Sequence, residues 1–195
     1  MTHENWELIS ASIHEAAHSV VAFRLGIRTA SIRVREKCTT ARTNFSAEAE
    51  TLYSRLCAAS ELDSELYQFA HHAGVIAAAG YIAEAHQREV DFNQIRDQPD
   101  APGYSDLQSM KRVCAKLNED ESSLIKKWES EAVQLVKDNW PPIEALAEAL
   151  IESPVHALNG EEAHQIISSQ DSVGERNTDT EPCSQGTSGS VDLPG

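Results

Sequence analysis

The ten residues Ile13-His14-Glu15-Ala16-Ala17-His18-Ser19-Val20-Val21-Ala22 combine two histidines and a glutamate with the apolar spacing of a helix. Apolar residues recur at helical intervals from Trp6 to Leu25, and Gly26 follows at a position where glycine often ends a helix. We therefore predict a half-buried helix over residues 6–25.

The histidine pair predicts a metal site on this helix. His14 and His18 are four residues apart, so their side chains project from one face about one turn apart. Two neutral imidazoles in this arrangement can bind one Zn²⁺. Glu15 lies beside the first histidine and is predicted to be the general base for a metal-activated water. Burying these groups without a metal would be costly, which favours a metal site over a solvated helix face.

A catalytic zinc needs a third protein ligand and an open fourth position. Val21 and Arg24 stand where the H-E-x-x-H-x-x-G-x-x-H arrangement has its glycine and third histidine, so the third ligand must come from farther along the chain. The candidates are Asp106, Glu84, His71, His72 and His86. The residue pattern alone leaves this choice open.

The rest of the chain predicts a mainly α fold with a short β-hairpin or strand pair near residues 30–45. We expect a loop over 89–103. The predicted helices cover 47–59 after Ser46, 63–88, 106–117 after Ser105, 123–139, 143–152 and 160–167. Residues 168–195 are dominated by small polar and acidic residues, so we predict one domain over 1–167 and a disordered tail over 168–195.

Composition excludes several partners. The 195 residues contain 16 Lys and Arg against 31 Asp and Glu, and this net charge of −15 disfavours binding to nucleic acid or to an anionic membrane surface. The longest nearly apolar stretch, 73–83, is too short to span a bilayer. The four cysteines form no C-x-x-C pair, and because the first residues are polar we expect no signal peptide there. We expect a cytoplasmic protein without a membrane span.

Three further segments follow the histidine motif in order. They are Ala79-Gly80-Tyr81-Ile82-Ala83-Glu84, Gly103-Tyr104-Ser105-Asp106-Leu107, and residues 143–167. Together with the histidine motif, they resemble the FtsH-type peptidase domain, the zinc protease half of the membrane AAA proteases, over about residues 8–167. The resemblance implies a compact, helical, zincin-like domain.

The same resemblance implies His14, His18 and Asp106 as zinc ligands, Glu15 as the general base, and Glu84 as a carboxylate that orients a ligating histidine. The chain departs from the family in having Ala17 where a glycine is usual, and in lacking a phosphate-binding G-x-x-x-x-G-K-[ST] loop. We therefore expect a freestanding, ATP-independent metallopeptidase acting on peptides or unfolded protein.

The family's peptidase domains assemble as rings, which raises a homo-oligomer as a further expectation. Two other hypotheses are open. One is a non-catalytic, zinc-containing binding or regulatory module, and the other is an interaction module using the acidic helices over 118–152. Glu15 favours the enzyme, because a binding module needs no carboxylate at that position.

Overall fold

The computed structural model describes residues 3–34, 41–99 and 102–176. These residues form eight helices and a small sheet, and the mainly α prediction is confirmed. The helices are α1 (His3–Arg24), α2 (Ala47–Ala58), α3 (Ser64–Gln87), α4 (Phe92–Arg96), α5 (Pro102–Leu117), α6 (Glu121–Asp138), α7 (Trp140–Glu152) and α8 (Gly160–Arg176). The strands are β1 (Thr29–Arg33), β2 (Arg42–Phe45) and β3 (Ala157–Asn159).

Local chemistry explains where the helices begin and end. Gly26 takes φ of 77°, a conformation that L side chains rarely adopt, and the amide of Ile27 donates to the carbonyl of Ala22 at 2.8 Å. This is the predicted end of α1. The side chains of Ser46 and Asp63 accept hydrogen bonds from the first turns of α2 and α3, so both predicted helix starts are confirmed.

Helices α1 and α3 form the centre of the core. Every residue from 10 to 22 is buried, because α1 packs against α3, α7 and the sheet. The prediction that this helix is half-buried is therefore wrong. Small residues let the two helices approach closely, and Ala16, Ala79 and Ala83 are each fully buried. Ala17 is also fully buried in this core and does not line the large cleft described below.

The sheet has three antiparallel strands in the order β2-β1-β3, one more than the predicted pair. Ile32, fully buried in the central strand, pairs with Thr43 of β2 on one side and Leu158 of β3 on the other. Strand β3 has three residues, which is too short for an alternating pattern to reveal. Within the described residues, β2 is an edge strand.

Two other predictions are wrong. The expected loop over 89–103 contains α4, capped by Asp91, and α5 begins at Pro102, so Ser105 lies inside that helix rather than capping it. Proline is favoured in the first turn of a helix, where it removes no intrahelical hydrogen bond.

The last helix continues to Arg176, past the predicted end at 167. The Arg24 guanidinium makes two hydrogen bonds with the Asp171 carboxylate, at 2.9 and 2.5 Å, and this tethers the extension to α1. The remainder of the predicted tail, 177–195, lies outside the described residues. Among the helices that the structure describes, none is long and apolar enough to cross a bilayer.

Candidate metal centre

The side chains of His14, His18 and Asp106 meet between α1 and α5. The two histidines are 2% and 8% exposed. Nε2 of His14 lies 3.1 Å from Nε2 of His18 and 3.0 Å from Oδ2 of Asp106, and the third separation, His18 Nε2 to Asp106 Oδ2, is 3.6 Å. The structure thus brings the two motif histidines together with one of the five candidate third ligands, 88 residues farther along the chain.

The far side of each imidazole faces an oxygen atom, but only His18 makes a hydrogen bond there. Nδ1 of His18 lies 2.7 Å from the backbone carbonyl of Ile76, and because a carbonyl can only accept, this nitrogen carries a proton. Nδ1 of His14 lies 3.5 Å from Oε2 of Glu84, whose other oxygen accepts from Arg88. Carbonyls and carboxylates at this position leave Nε2 as the ligating atom.

Three potential ligand atoms therefore converge, one from each side chain. Oδ2 of Asp106 is buried and has no hydrogen-bond partner of suitable geometry, although Nε2 of His14 is only 3.0 Å away. Such a cluster needs a cation at its centre, either a proton or a metal ion.

The pKa values of all three side chains are shifted from their usual ranges. Burial lowers the pKa of both histidines, but the surrounding carboxylates, Asp106 foremost, together raise both pKa values, to about 10 for His14. Burial raises the pKa of Asp106, but His18 and His14 lower it by more. The carboxyl group therefore stays ionised.

The dimensions suit a tetrahedral metal ion. Ligands about 2.0–2.1 Å from a zinc ion at tetrahedral angles are about 3.3 Å apart, close to the three separations observed here. Gly80 of α3 leaves room for the two imidazoles, because a Cβ atom at this position would lie 2.6 Å from Nε2 of both histidines. His14, His18 and Asp106 can therefore hold a metal ion.

The other candidate ligands lie elsewhere. His71 lies 2.7 Å from Glu131 through Nε2 and accepts from the Trp128 indole through Nδ1, so both ring nitrogens are engaged. The ring of His86 packs edge-on against Trp140, with centroids 4.4 Å apart. His72 and Glu84 also fall outside the group that can hold the metal.

Glu15 lies at the wall of a cleft of about 720 Å³ that reaches the metal site. The residue is 4% exposed, and Oε2 accepts a hydrogen bond of 2.7 Å from the hydroxyl of Thr43 on β2. His18 and Asp106 also line the cleft. The cleft's other lining residues are mostly apolar or small and include Ile27, Phe45, Tyr53, Phe69, Ile76 and Val113.

The position of Asp106 depends on how α5 packs. Gly103 lies against Tyr81, where a Cβ would be 2.8 Å from the tyrosine Cβ. The Tyr81 hydroxyl donates to the buried carboxylate of Glu129 at 2.9 Å, and Arg96 of α4 donates to the same oxygen at 2.7 Å. This buried network joins α3, α4 and α6 directly beneath the first turn of α5.

Three contributors to the site were not predicted: Thr43, Gly80 and the carbonyl of Ile76. Gly80 belongs to a run of small residues that indicates helix packing equally well. A backbone carbonyl leaves no trace in the sequence, and nothing in the pattern around Thr43 distinguishes it from any strand threonine.

No protein-family model matches the chain, and a search of curated proteins finds no significant match. The resemblance to FtsH-type peptidases therefore stays a prediction.

Proposed function

We propose that this protein is a zinc-dependent metallopeptidase of the FtsH type that hydrolyses peptide bonds without ATP. The observation that carries the proposal is the convergence of three potential ligand atoms, from His14, His18 and Asp106, on one buried point beside the Glu15 carboxylate. Two imidazoles and one carboxylate are a ligand set that suits a catalytic zinc with an open position.

A bound zinc ion would polarise the scissile carbonyl and acidify a water molecule. The protein's own part is proton transfer and orientation. Glu15 accepts the proton of the attacking water and delivers it to the leaving amine. The Ile76 carbonyl holds the imidazole of His18, and the Glu84 carboxylate faces that of His14, which would leave Nε2 of each ring for the metal.

The cleft supports an extended peptide as the substrate. Residues 42–45 of β2 line it, and β2 is an edge strand within the described part of the chain. An edge strand offers unpaired backbone groups to which an extended segment can bind as an additional strand. The apolar walls favour peptides or unfolded segments that carry apolar side chains.

The test is a pair of variants assayed with a quenched fluorescent unfolded protein after zinc loading. Glu15→Gln keeps the ligands and the size of the side chain, so it should fold and bind zinc but lose about 10²–10⁴-fold in rate. Glu148→Gln makes the same chemical change on the exposed face of α7 and should behave as wild type.

Equal rates for wild type and Glu15→Gln would refute this mechanism. A zinc-loaded wild type that cleaves no peptide in a broad library would favour the non-catalytic binding module instead.

A further inference from the structure

Thr43 is the side chain that contacts the Glu15 carboxylate from outside α1. Its hydroxyl lies 2.7 Å from Oε2 and 3.2 Å from the backbone oxygen of Glu15, so its single proton is directed at this residue in either case. The shorter contact is to the carboxylate, and a hydrogen bond to a charged acceptor is the stronger of the two.

The contact matters because a glutamate side chain has several rotatable bonds and works as a base only in the right orientation. Thr43 engages one carboxylate oxygen, Oε2, of a glutamate that lines the cleft. It is itself held in place by strand pairing with Ile32, which is fully buried.

We propose that Thr43 is a positioning residue that fixes the Glu15 carboxylate for proton transfer, and thereby couples the cleft-lining strand β2 to the base. This role rests on the proposed peptidase function. It requires that removing the hydroxyl slow turnover without weakening zinc binding, since Thr43 contacts none of the three candidate metal ligands. Substrate binding should also be kept, because the proposed peptide contact with β2 uses backbone groups that a side-chain change leaves in place.

The experiment compares three variants of the zinc-loaded full chain. Thr43→Val keeps the shape of the side chain and its suitability for a strand, and it should lower kcat by about 10- to 100-fold with KM and zinc affinity unchanged. Thr43→Ser keeps the hydroxyl and should restore most of kcat. Thr29→Val is the matched control, because it removes a hydroxyl that joins β1 to Ser19 of α1, 2.9 Å away, without touching Glu15.

A second readout does not depend on turnover. In crystal structures of the zinc-loaded proteins, the Glu15 carboxylate should keep its position in wild type and Thr43→Ser and leave it in Thr43→Val. A carboxylate that stays in place in Thr43→Val, or a kcat equal to that of wild type, overturns the positioning role. An inactive wild type overturns the peptidase function, and the crystal structures then show separately whether Thr43 holds the carboxylate.

Discussion

Replacing Gly80 by alanine tests the metal site without changing any ligand. The new Cβ would lie 2.6 Å from Nε2 of His14 and of His18, and 2.7 Å from Cε1 of His18, whereas ordinary contacts begin at 3.4 Å. The shortfall is 3.4 − 2.6 = 0.8 Å for each imidazole. Metal–ligand distances tolerate deviations of only about 0.2 Å, so the rings cannot both make room and keep a shared metal.

We therefore expect Gly80→Ala to weaken zinc binding by about 100-fold or more, at the upper end of what losing an orienting partner costs. The metal-free protein should fold, because the atoms that must yield belong to imidazole side chains rather than to the backbone, and alanine favours a helix interior over glycine by about 1 kcal/mol. Chelator competition measures the affinity, and circular dichroism checks the helix content.

Gly74→Ala is the matched control. Its Cβ would lie 2.2 Å from the Trp128 ring, a more severe clash on the same helix but away from the ligands. It should destabilise the fold while the folded fraction keeps its zinc affinity. Wild-type zinc affinity in Gly80→Ala would refute the assignment of this space to the metal.

Three further outcomes are expected. In chelator competition, Asp106→Asn should weaken zinc binding far more than Glu84→Gln. An amide is a poor ligand for zinc, whereas losing a residue that orients a ligand costs about 10–100-fold in metal affinity. The reverse order would move the third ligand to Glu84. The pKa of His14 is raised to about 10 and that of His18 is raised as well, so zinc must displace at least one imidazole proton at neutral pH. Calorimetry should therefore show zinc affinity rising at least about tenfold per unit between pH 7.5 and 8.5, whereas a plateau above pH 7 would contradict the raised pKa. In thermal melts, deleting residues 168–195 should lower the melting midpoint more than deleting 177–195, because only the longer deletion removes the ion pair between Asp171 of α8 and Arg24 of α1. Equal midpoints would mean that this pair contributes no stability.

Helix positions were predictable because their signals are local. Gly26, Ser46 and Asp63 each act on residues within one turn. The C-terminal end of α1 and the starts of α2 and α3 therefore follow from the sequence. Strand β3 and helix α4 were missed because each is too short to show a periodic pattern, and β3 exists through its pairing with β1.

The candidate site was predictable only in part. The i, i+4 spacing identifies His14 and His18, but spacing leaves the third ligand open, and only the family resemblance pointed to Asp106. Contacts that cross the fold, such as the Ile76 carbonyl on His18 and Thr43 on Glu15, depend on tertiary packing that no local pattern encodes.

The distribution of the site along the chain has a consequence for synthesis. His14 and His18 leave the ribosome 106 − 18 = 88 residues before Asp106. At about 5–20 residues per second, the nascent chain spends on the order of ten seconds with both imidazoles made and no carboxylate to complete the trio. The helix that carries them is also uncovered until α3 and α7 follow. A growing chain therefore cannot assemble the trio of His14, His18 and Asp106 early, and a metal ion held by all three would bind only after segments translated much later have docked.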